Sequence, residues 1–218
     1  MNQLFTTSDG SHTLYVPELN EHYHSIHGAV QESEHIFIKA GYDNCKADPL
    51  YIFEAGFGTG LNALLTAVRS INDNREVFYT SVEKYPVGNN LIKSLNHNKY
   101  AGSDGKNIFQ LIHSSAWGGM HLICNKFNLC KVEGDLADFI PAFPIDLVYF
   151  DAFGPDKQPS MWTREIFGRI ASAMRSGGIL VTYSAKGDVK RNLRYIGFDV
   201  KLLPGPPGKR EMISAKKI

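Results

Sequence analysis

The stretch Tyr51-Ile52-Phe53-Glu54-Ala55-Gly56-Phe57-Gly58-Thr59-Gly60-Leu61-Asn62 constrains the fold of this chain more than any other. An apolar run of strand character breaks into three alternate glycines, and 61–70 then takes up helical spacing. Glycines at that point let the backbone turn sharply and come close to a guest, and the free N–H groups at the start of the following helix point back at it. Strand, tight turn and helix in that order imply a parallel α/β sheet with a nucleotide-like ligand at the turn.

The glycine spacing narrows the ligand. The dinucleotide fingerprint G-x-G-x-x-G requires glycine at 61, where this chain has Leu61. No G-x-x-x-x-G-K-[ST] run is present for a nucleoside triphosphate. An acid followed by G-x-G-x-G is the loop typical of S-adenosylmethionine enzymes and resembles motif one of class I methyltransferases. An ordinary glycine-rich turn is the plainer alternative for the loop alone.

A chain of 218 residues, 43% hydrophobic and 21% charged, suits one well-buried domain with a small annex. Its 23 basic and 22 acidic residues nearly cancel, so a nucleic-acid surface has to come from local clustering. Over 186–218 there are nine Lys/Arg against three acids. That excess suits either RNA contacts or a solvated helix face and edge strand. Three cysteines without a C-x-x-C pair, and no signal-like or membrane-length apolar run, point to a reduced, cytoplasmic protein.

Ahead of the glycine loop, residues 1–48 read as an annex packed on a 49–218 α/β domain. Ser8-Asp9-Gly10-Ser11 is a turn signal and His35-Ile36-Phe37-Ile38 is strand-like, which predicts a hairpin or small antiparallel unit. His22, His24 and His27 invite a metal reading, but they form no i, i+4 pair and no nearby cysteine completes a zinc set. After the loop, Val77-Phe78-Tyr79-Thr80-Ser81-Val82 is a second buried strand ending at Glu83, where an acid meets a ribose in such sheets; helix-capping is the alternative. A helix over 89–97 follows Pro86. Phe109-Gln110-Leu111-Ile112-His113 reads as a strand and 117–130 as an irregular insertion, with His113, His121, Cys124 and Cys130 in no zinc spacing.

Lys131-Val132-Glu133-Gly134-Asp135-Leu136 reads as a strand that sets Asp135 to accept from an adenine amino group or to cap the next turn. Ile145-Asp146-Leu147-Val148-Tyr149-Phe150 is a buried strand delivering Asp151 into a Gly/Pro-rich loop beside the glycine turn, where this architecture puts its chemistry. A helix over 163–174, a turn at Ser176-Gly177-Gly178, a strand over 179–183, a helix over 189–196 and a hairpin of 198–203 with 211–215 complete the pattern. The fold predicted is α/β, a Rossmann-like doubly wound sheet of the class I S-adenosylmethionine-dependent methyltransferase type, with the last strand antiparallel and a small N-terminal β annex.

Four segments carry a closer resemblance: Glu54 to Asn62, Val82-Glu83-Lys84-Tyr85-Pro86, the D-x-F-x-P-x-K-x-P-x-M-W block from Asp151 to Trp162, and Gly208-Lys209-Arg210-Glu211-Met212. Tyr23-His24-Ser25 with Glu32-Ser33 is similar too. In these the chain resembles the family of tRNA 5-aminomethyl-(2-thio)uridine methyltransferases, known as MnmD alone and as the N-terminal half of MnmC when fused to a flavin oxidase. The resemblance implies methyl transfer from S-adenosyl-L-methionine to the aminomethyl nitrogen of the wobble uridine. It implies a cofactor site at Glu54, Gly56, Phe57, Gly58, Thr59, Gly60, Asn62, Glu83, Lys84, Asp135, Leu136 and Asp151, with Asp151 catalytic. Asp151 is expected to orient the amine more than to deprotonate it, given the low reference pKa of aspartate. The tRNA anticodon loop would meet Tyr23, Ser25, Phe153, Lys157, Lys186, Arg191, Lys209 and Arg210.

The loop at Phe153-Gly154-Pro155-Asp156 departs from the family's more alanine-rich pattern. With no room for an oxidase, the chain is expected to act only on an aminomethyl form supplied by a separate oxidase or by upstream wobble-uridine enzymes. Two other readings compete: an aminopropyl transferase of the spermidine synthase type, which would ask for further acids around the amine, and a non-catalytic RNA-binding module.

Overall fold

A computed structural model describes residues 2–139 and 144–218. Three short antiparallel strands open the chain: β1 (Gln3–Thr6), β2 (His12–Val16) and β3 (Glu21–His22), in that order across the sheet. Asp9 builds the β1–β2 turn by accepting from the Ser11 N–H (2.9 Å).

Helix α1 (Ala29–Ser33) then runs on as a π-helical stretch over Glu34–Tyr42, with Asp43 N–H reaching back to Ile38 O at 2.9 Å. This corrects the strand expected at His35-Ile36-Phe37-Ile38. Ile36, Phe37 and Ile38 are all buried because the segment is enclosed on several sides, so it lacks the one-sided period that marks a surface helix.

The main sheet has eight strands in the order β10-β11-β9-β8-β4-β5-β7-β6. Its parallel centre comprises β4 (Leu50–Ala55), β5 (Val77–Glu83), β7 (Phe127–Glu133), β8 (Ile145–Phe150) and β9 (Met174–Thr182). One edge is the antiparallel pair β10 (Phe198–Pro204) and β11 (Glu211–Lys217), and β6 (His121–Cys124) borders β7 at the other. The predicted irregular insertion is therefore a hairpin that extends the sheet.

Every residue of β8 is buried, as expected of a central parallel strand covered on both faces. Each large apolar side chain there contributes about 1.5–3 kcal/mol. Asp146 is the polar exception; Arg175 satisfies both its oxygens at 2.7 and 2.9 Å, and the Tyr51 N–H adds a third bond at 3.0 Å.

Helices α2 (Leu61–Asn72) and α4 (Gly105–Ser114) pack with the π-helical stretch on one face. Helices α5 (Arg164–Ala173) and α6 (Gly187–Ile196) cover the other. Helix α3 (Asn89–Ser94) is shorter than the predicted 89–97, the chain turning 3₁₀ at His97–Tyr100. The strand expected at 109–113 is instead the second half of α4. Ile108, Phe109 and Ile112 are buried while Leu111 faces out, a helical period that five residues in isolation do not reveal.

The sheet departs from β4 in both directions, to β5 and β7 on one side and to β8 and β9 on the other. The crevice between the carboxyl ends of β4 and β8 is the topological switch point, where ligands of such sheets bind. Among the described residues, no helix is long and apolar enough to cross a membrane.

Candidate active site

At the switch point β4 gives way to the glycine turn. Gly56 has φ +93°, and a Cβ there would stand 3.0 Å from the Asp151 carbonyl oxygen, so the turn and the β8 loop pass backbone to backbone. Gly60, at φ +71°, opens α2, and a Cβ on it would meet the His113 ring at 3.0 Å. Between them the Gly58 N–H donates to Glu83 Oε2 (3.0 Å), while Glu83 Oε1 accepts from the Tyr85 N–H (2.8 Å). Burial raises the Glu83 pKa and these backbone donors oppose it, leaving a fixed acceptor at the end of β5.

Behind the turn, Thr59 Oγ1 is bonded to His97 Nε2 (3.0 Å) and lies 3.5 Å from His24 Nε2. His113 packs edge-on against Phe57, with centroids 5.8 Å apart. Burial keeps these imidazoles neutral: His24 and His113 are held down to about 4, and His97 lies well below its ordinary value. Lys131 stands nearby, donating to the Ile112 carbonyl (2.7 Å) at the end of α4, with the Trp117 ring 5.1 Å away. Burial lowers its pKa to about 8.

Asn62, in the first turn of α2, ties two carboxylates together. Its Nδ2 donates to Glu54 Oε1 (3.0 Å) and to Asp151 Oδ2 (2.8 Å). Glu54 lies beneath the cleft, 1% exposed, and burial lifts its pKa to about 8, so it carries a proton near neutrality. Asp151 reaches the cleft itself, anchored by its N–H to the Ala55 carbonyl (3.0 Å). Burial, and then the charges of Glu32 and Glu54, push its pKa well above the usual carboxylate range; Asn62 and Lys209 pull the other way.

The remaining walls come from distant parts of the chain. Tyr23 of the annex meets Phe153 edge-on at 5.0 Å, and Trp162 Nε1 pins the Phe153 carbonyl at 2.8 Å. Tyr183, just beyond β9, donates its hydroxyl to the Ala152 carbonyl (2.8 Å). The enclosed space is about 1060 Å³ and runs from the glycine turn to the annex. That is room for an adenosyl group and a further substrate.

Most of the expected site residues line this one cleft: Tyr23, Gly56, Phe57, Gly58, Thr59, Asn62, Glu83, Lys84, Asp135, Leu136, Asp151, Phe153, Lys157, Lys186, Lys209 and Arg210. Glu54, Gly60, Ser25 and Arg191 are not on its wall. Glu54 and Gly60 support it from behind, the Ser25 N–H holds Glu32 at 2.6 Å, and Arg191 pairs with Asp188 on α6.

Of the two readings of Asp135 the structure shows the cap: Oδ1 accepts from the Ala137 N–H (2.9 Å), while Oδ2 pairs with Lys84 at 2.8 Å. Four of the five expected RNA-facing cations, Lys157, Lys186, Arg191 and Lys209, are engaged within the chain. Lys157 donates to the Leu19 and Asn20 carbonyls (2.8 and 3.2 Å), Lys186 pairs with Asp156 and Lys209 with Glu32.

Glu32 and Tyr183 are among the wall residues that no site assignment from sequence included. Tyr183 stands beyond the carboxyl end of a sheet strand, the same positional signal that singled out Asp151.

Residues 110–218 match a family described as S-adenosyl-L-methionine-dependent methyltransferase. The chain is similar to the tRNA 5-methylaminomethyl-2-thiouridine biosynthesis bifunctional protein MnmC of Cupriavidus necator, at 30% identity over 216 residues, covering 92% of this chain and 32% of that protein. The namesake from Campylobacter hominis is 31% identical over 208 residues, with 93% and 31% covered. The chain thus spans about a third of the length of the curated relatives it matches. Among solved structures, MnmC2 of Aquifex aeolicus superposes with a TM-score of 0.81 at 25% identity, covering 99% of this chain and 70% of that one. Spermidine synthase of Thermotoga maritima shares the fold, at a TM-score of 0.52 and 12% identity, with 99% and 71% covered.

Proposed function

This chain belongs to the S-adenosyl-L-methionine-dependent methyltransferase family, and from that premise we propose that it methylates the aminomethyl nitrogen of 5-aminomethyl-(2-thio)uridine at the tRNA wobble position, giving the 5-methylaminomethyl form. Similarity to MnmC over more than nine-tenths of the chain supports the substrate. The observation that carries the chemistry is the enclosed carboxylate of Asp151, held at the switch point with a raised proton affinity.

The residues present suit S-adenosyl-L-methionine. Gly56, packed backbone to backbone against the β8 loop, borders the cleft where the methionine end would lie. Glu83, fixed by two N–H donors, keeps acceptor capacity for a ribose diol, and Asp135 with Leu136 borders the adenine end. When bound, the group supplies an electrophilic methyl.

The chain's own task is to present a neutral amine. An aliphatic ammonium has no lone pair to offer and is largely protonated near neutral pH. A carboxylate of ordinary pKa is a weak base toward it. Asp151 departs from that value: burial and neighbouring acids raise its affinity for a proton and narrow its gap to the amine, so the ionised carboxylate, with the ammonium as its counter-ion, orients the nitrogen and takes its proton. Asn62 holds the carboxylate rotamer, and Tyr23 and Phe153 close the side of the cleft against water. The base would enter as an unstacked anticodon-loop nucleotide, with Arg210 at the mouth and Lys186 and Lys209 exchanging internal partners for phosphates. We assign the protein to the cytoplasm, where its substrate is made.

One observation favours a second reading. Glu32 beside Asp151 is the additional acid that an aminopropyl transferase would ask for, although Lys209 neutralises it here. A single experiment tests both readings. The protein is incubated with labelled S-adenosylmethionine and tRNA from cells lacking the activity, and in parallel with decarboxylated S-adenosylmethionine and putrescine. Label in 5-methylaminomethyluridine after digestion is expected; label in another nucleoside, or aminopropyl transfer to putrescine, sinks the assignment.

A further inference from the structure

The wall opposite the glycine turn holds a charged group that methyl transfer does not by itself require. Glu32 sits in the first turn of α1 and is 7% exposed. Its Oε2 accepts from the Ser25 N–H at 2.6 Å and its Oε1 takes the ammonium of Lys209, 177 positions away in the chain. The same ammonium lies over the Tyr183 ring, 4.6 Å from its centroid. Tyr183 is locked in turn by its hydroxyl bond to the Ala152 carbonyl at 2.8 Å, next to Asp151. Glu32, Lys209, Tyr183 and Asp151 all border the one cleft.

We propose that the Glu32 carboxylate, the face of Tyr183 and Asp151 form a binding subsite for a primary alkylammonium ion, and that Lys209 fills it as a tethered stand-in until substrate arrives. An anion and an aromatic face on one ammonium head are the two elements that recognise such a cation. The head of lysine, a methylene bearing an ammonium, is the same group that a protonated aminomethyl uridine presents. Exchange of one for the other conserves charge in the cleft as substrate enters, so a buried Glu32 is not left alone at that step, which would be costly. Lys209 belongs to the turn joining β10 to β11, where its N–H bonds the Pro206 carbonyl at 2.9 Å, so its side chain can leave while its backbone stays.

The subsite also sets specificity. Two carboxylates facing the amine admit a cation and repel an amine that itself carries a carboxylate, so a carboxymethylated precursor is refused on charge. The inference rests on the methyltransferase reading for its natural ligand and on the geometry alone for the ammonium site.

The test uses propylammonium chloride as the probe, titrated calorimetrically into the intact protein against sodium chloride at equal ionic strength. Lys209→Ala is expected to bind propylammonium at least tenfold more tightly than the wild type, and Lys209→Ala combined with Glu32→Gln is expected to lose that gain. In methyl transfer, Glu32→Gln is expected to raise KM for aminomethyl-containing tRNA about tenfold, with a smaller change in kcat. Glu32→Asp should restore part of the loss, and affinity for S-adenosylhomocysteine should be retained as proof of folding. Equal propylammonium binding by wild type and Lys209→Ala, or gain unaffected by Glu32→Gln, overturns the subsite. Tight propylammonium binding by Lys209→Ala, in a protein that leaves aminomethyl tRNA unmethylated, upholds the subsite and rejects the assigned substrate instead.

Discussion

Replacing His113 by glutamine probes the neutral imidazoles packed behind the cofactor turn. Burial, with Lys131 adding its charge, holds the His113 pKa down to about 4 from an ordinary 6.5. A depressed histidine supplies stability that is fully present above 6.5 and is lost as pH falls toward 4. The interval corresponds to about 3 kcal/mol at about 1.4 kcal/mol per unit. Within it the unfolded chain binds nearly one more proton at this site, a slope of about 1.2 kcal/mol per pH unit. Urea unfolding of wild type and His113→Gln, repeated from about pH 7.5 to about pH 4.5, measures the difference directly. The variant should start less stable, because the ring packs on Phe57 and Phe109. Its curve should be the shallower by about one proton, so that the two converge on acidification. Parallel curves would show that His113 titrates alike in both states and refute the reasoning. Because the ring touches Gly60 and lies near Thr59, affinity for S-adenosylhomocysteine should hold over most of this range and fall only as pH approaches about 4, where the folded ring gains its proton.

Other perturbations separate the parts of the site. Asp151→Asn should lower kcat by about 10²–10⁴ while S-adenosylhomocysteine binding persists, and unchanged turnover would make the carboxylate dispensable. Gly56→Ala puts a methyl 3.0 Å from the Asp151 carbonyl at φ +93°; a cost of about 1–3 kcal/mol and loss of cofactor binding by calorimetry are expected. Glu54, raised to about 8, supplies stability that is complete below its ordinary 4.5 and lost as pH rises through 8, so Glu54→Gln should flatten the alkaline decline in thermal melts. Arg175→Met strands the buried Asp146 carboxylate, and because the arginine is half exposed the loss should be about 2 kcal/mol, below the cost for a fully buried pair, read from the urea midpoint.

The parts of the fold that were legible in sequence are those where one physical signal sufficed. β4, β5 and β8 are apolar runs terminated by a glycine or an acid, and their order around the switch point follows from strand and helix alternation. The failures have local causes. Ile36-Phe37-Ile38 looks like a strand because burial on several sides erases helical periodicity, and 109–113 shows its period only across the full length of α4.

Within the site, Asp151 and Glu83 were visible because a strand end is a position in sequence as well as in space. Glu32 stood out only as part of the Glu32-Ser33 resemblance and its role was not legible, since that comes from meeting Lys209, a contact with no local signature. The basic residues late in the chain mislead in the opposite way. Lys186 and Arg191 count as free charge in a composition, whereas in the fold each is paired with an acid.

The antiparallel strand β11 has a consequence for how the molecule comes into being. It lies between β9 and β10, pairing Ile213 with Thr182 on one side and with Leu202 on the other. β10 precedes it in the chain and has no place in the sheet until β11 arrives. A chain folded only as far as β10 therefore carries an open β9 edge, which is exposed to wrong pairing until β11 docks on it. Chains truncated before residue 211 should carry that edge and bind a hydrophobic dye, and the docking of β11 should set the pace at which a competent substrate wall appears.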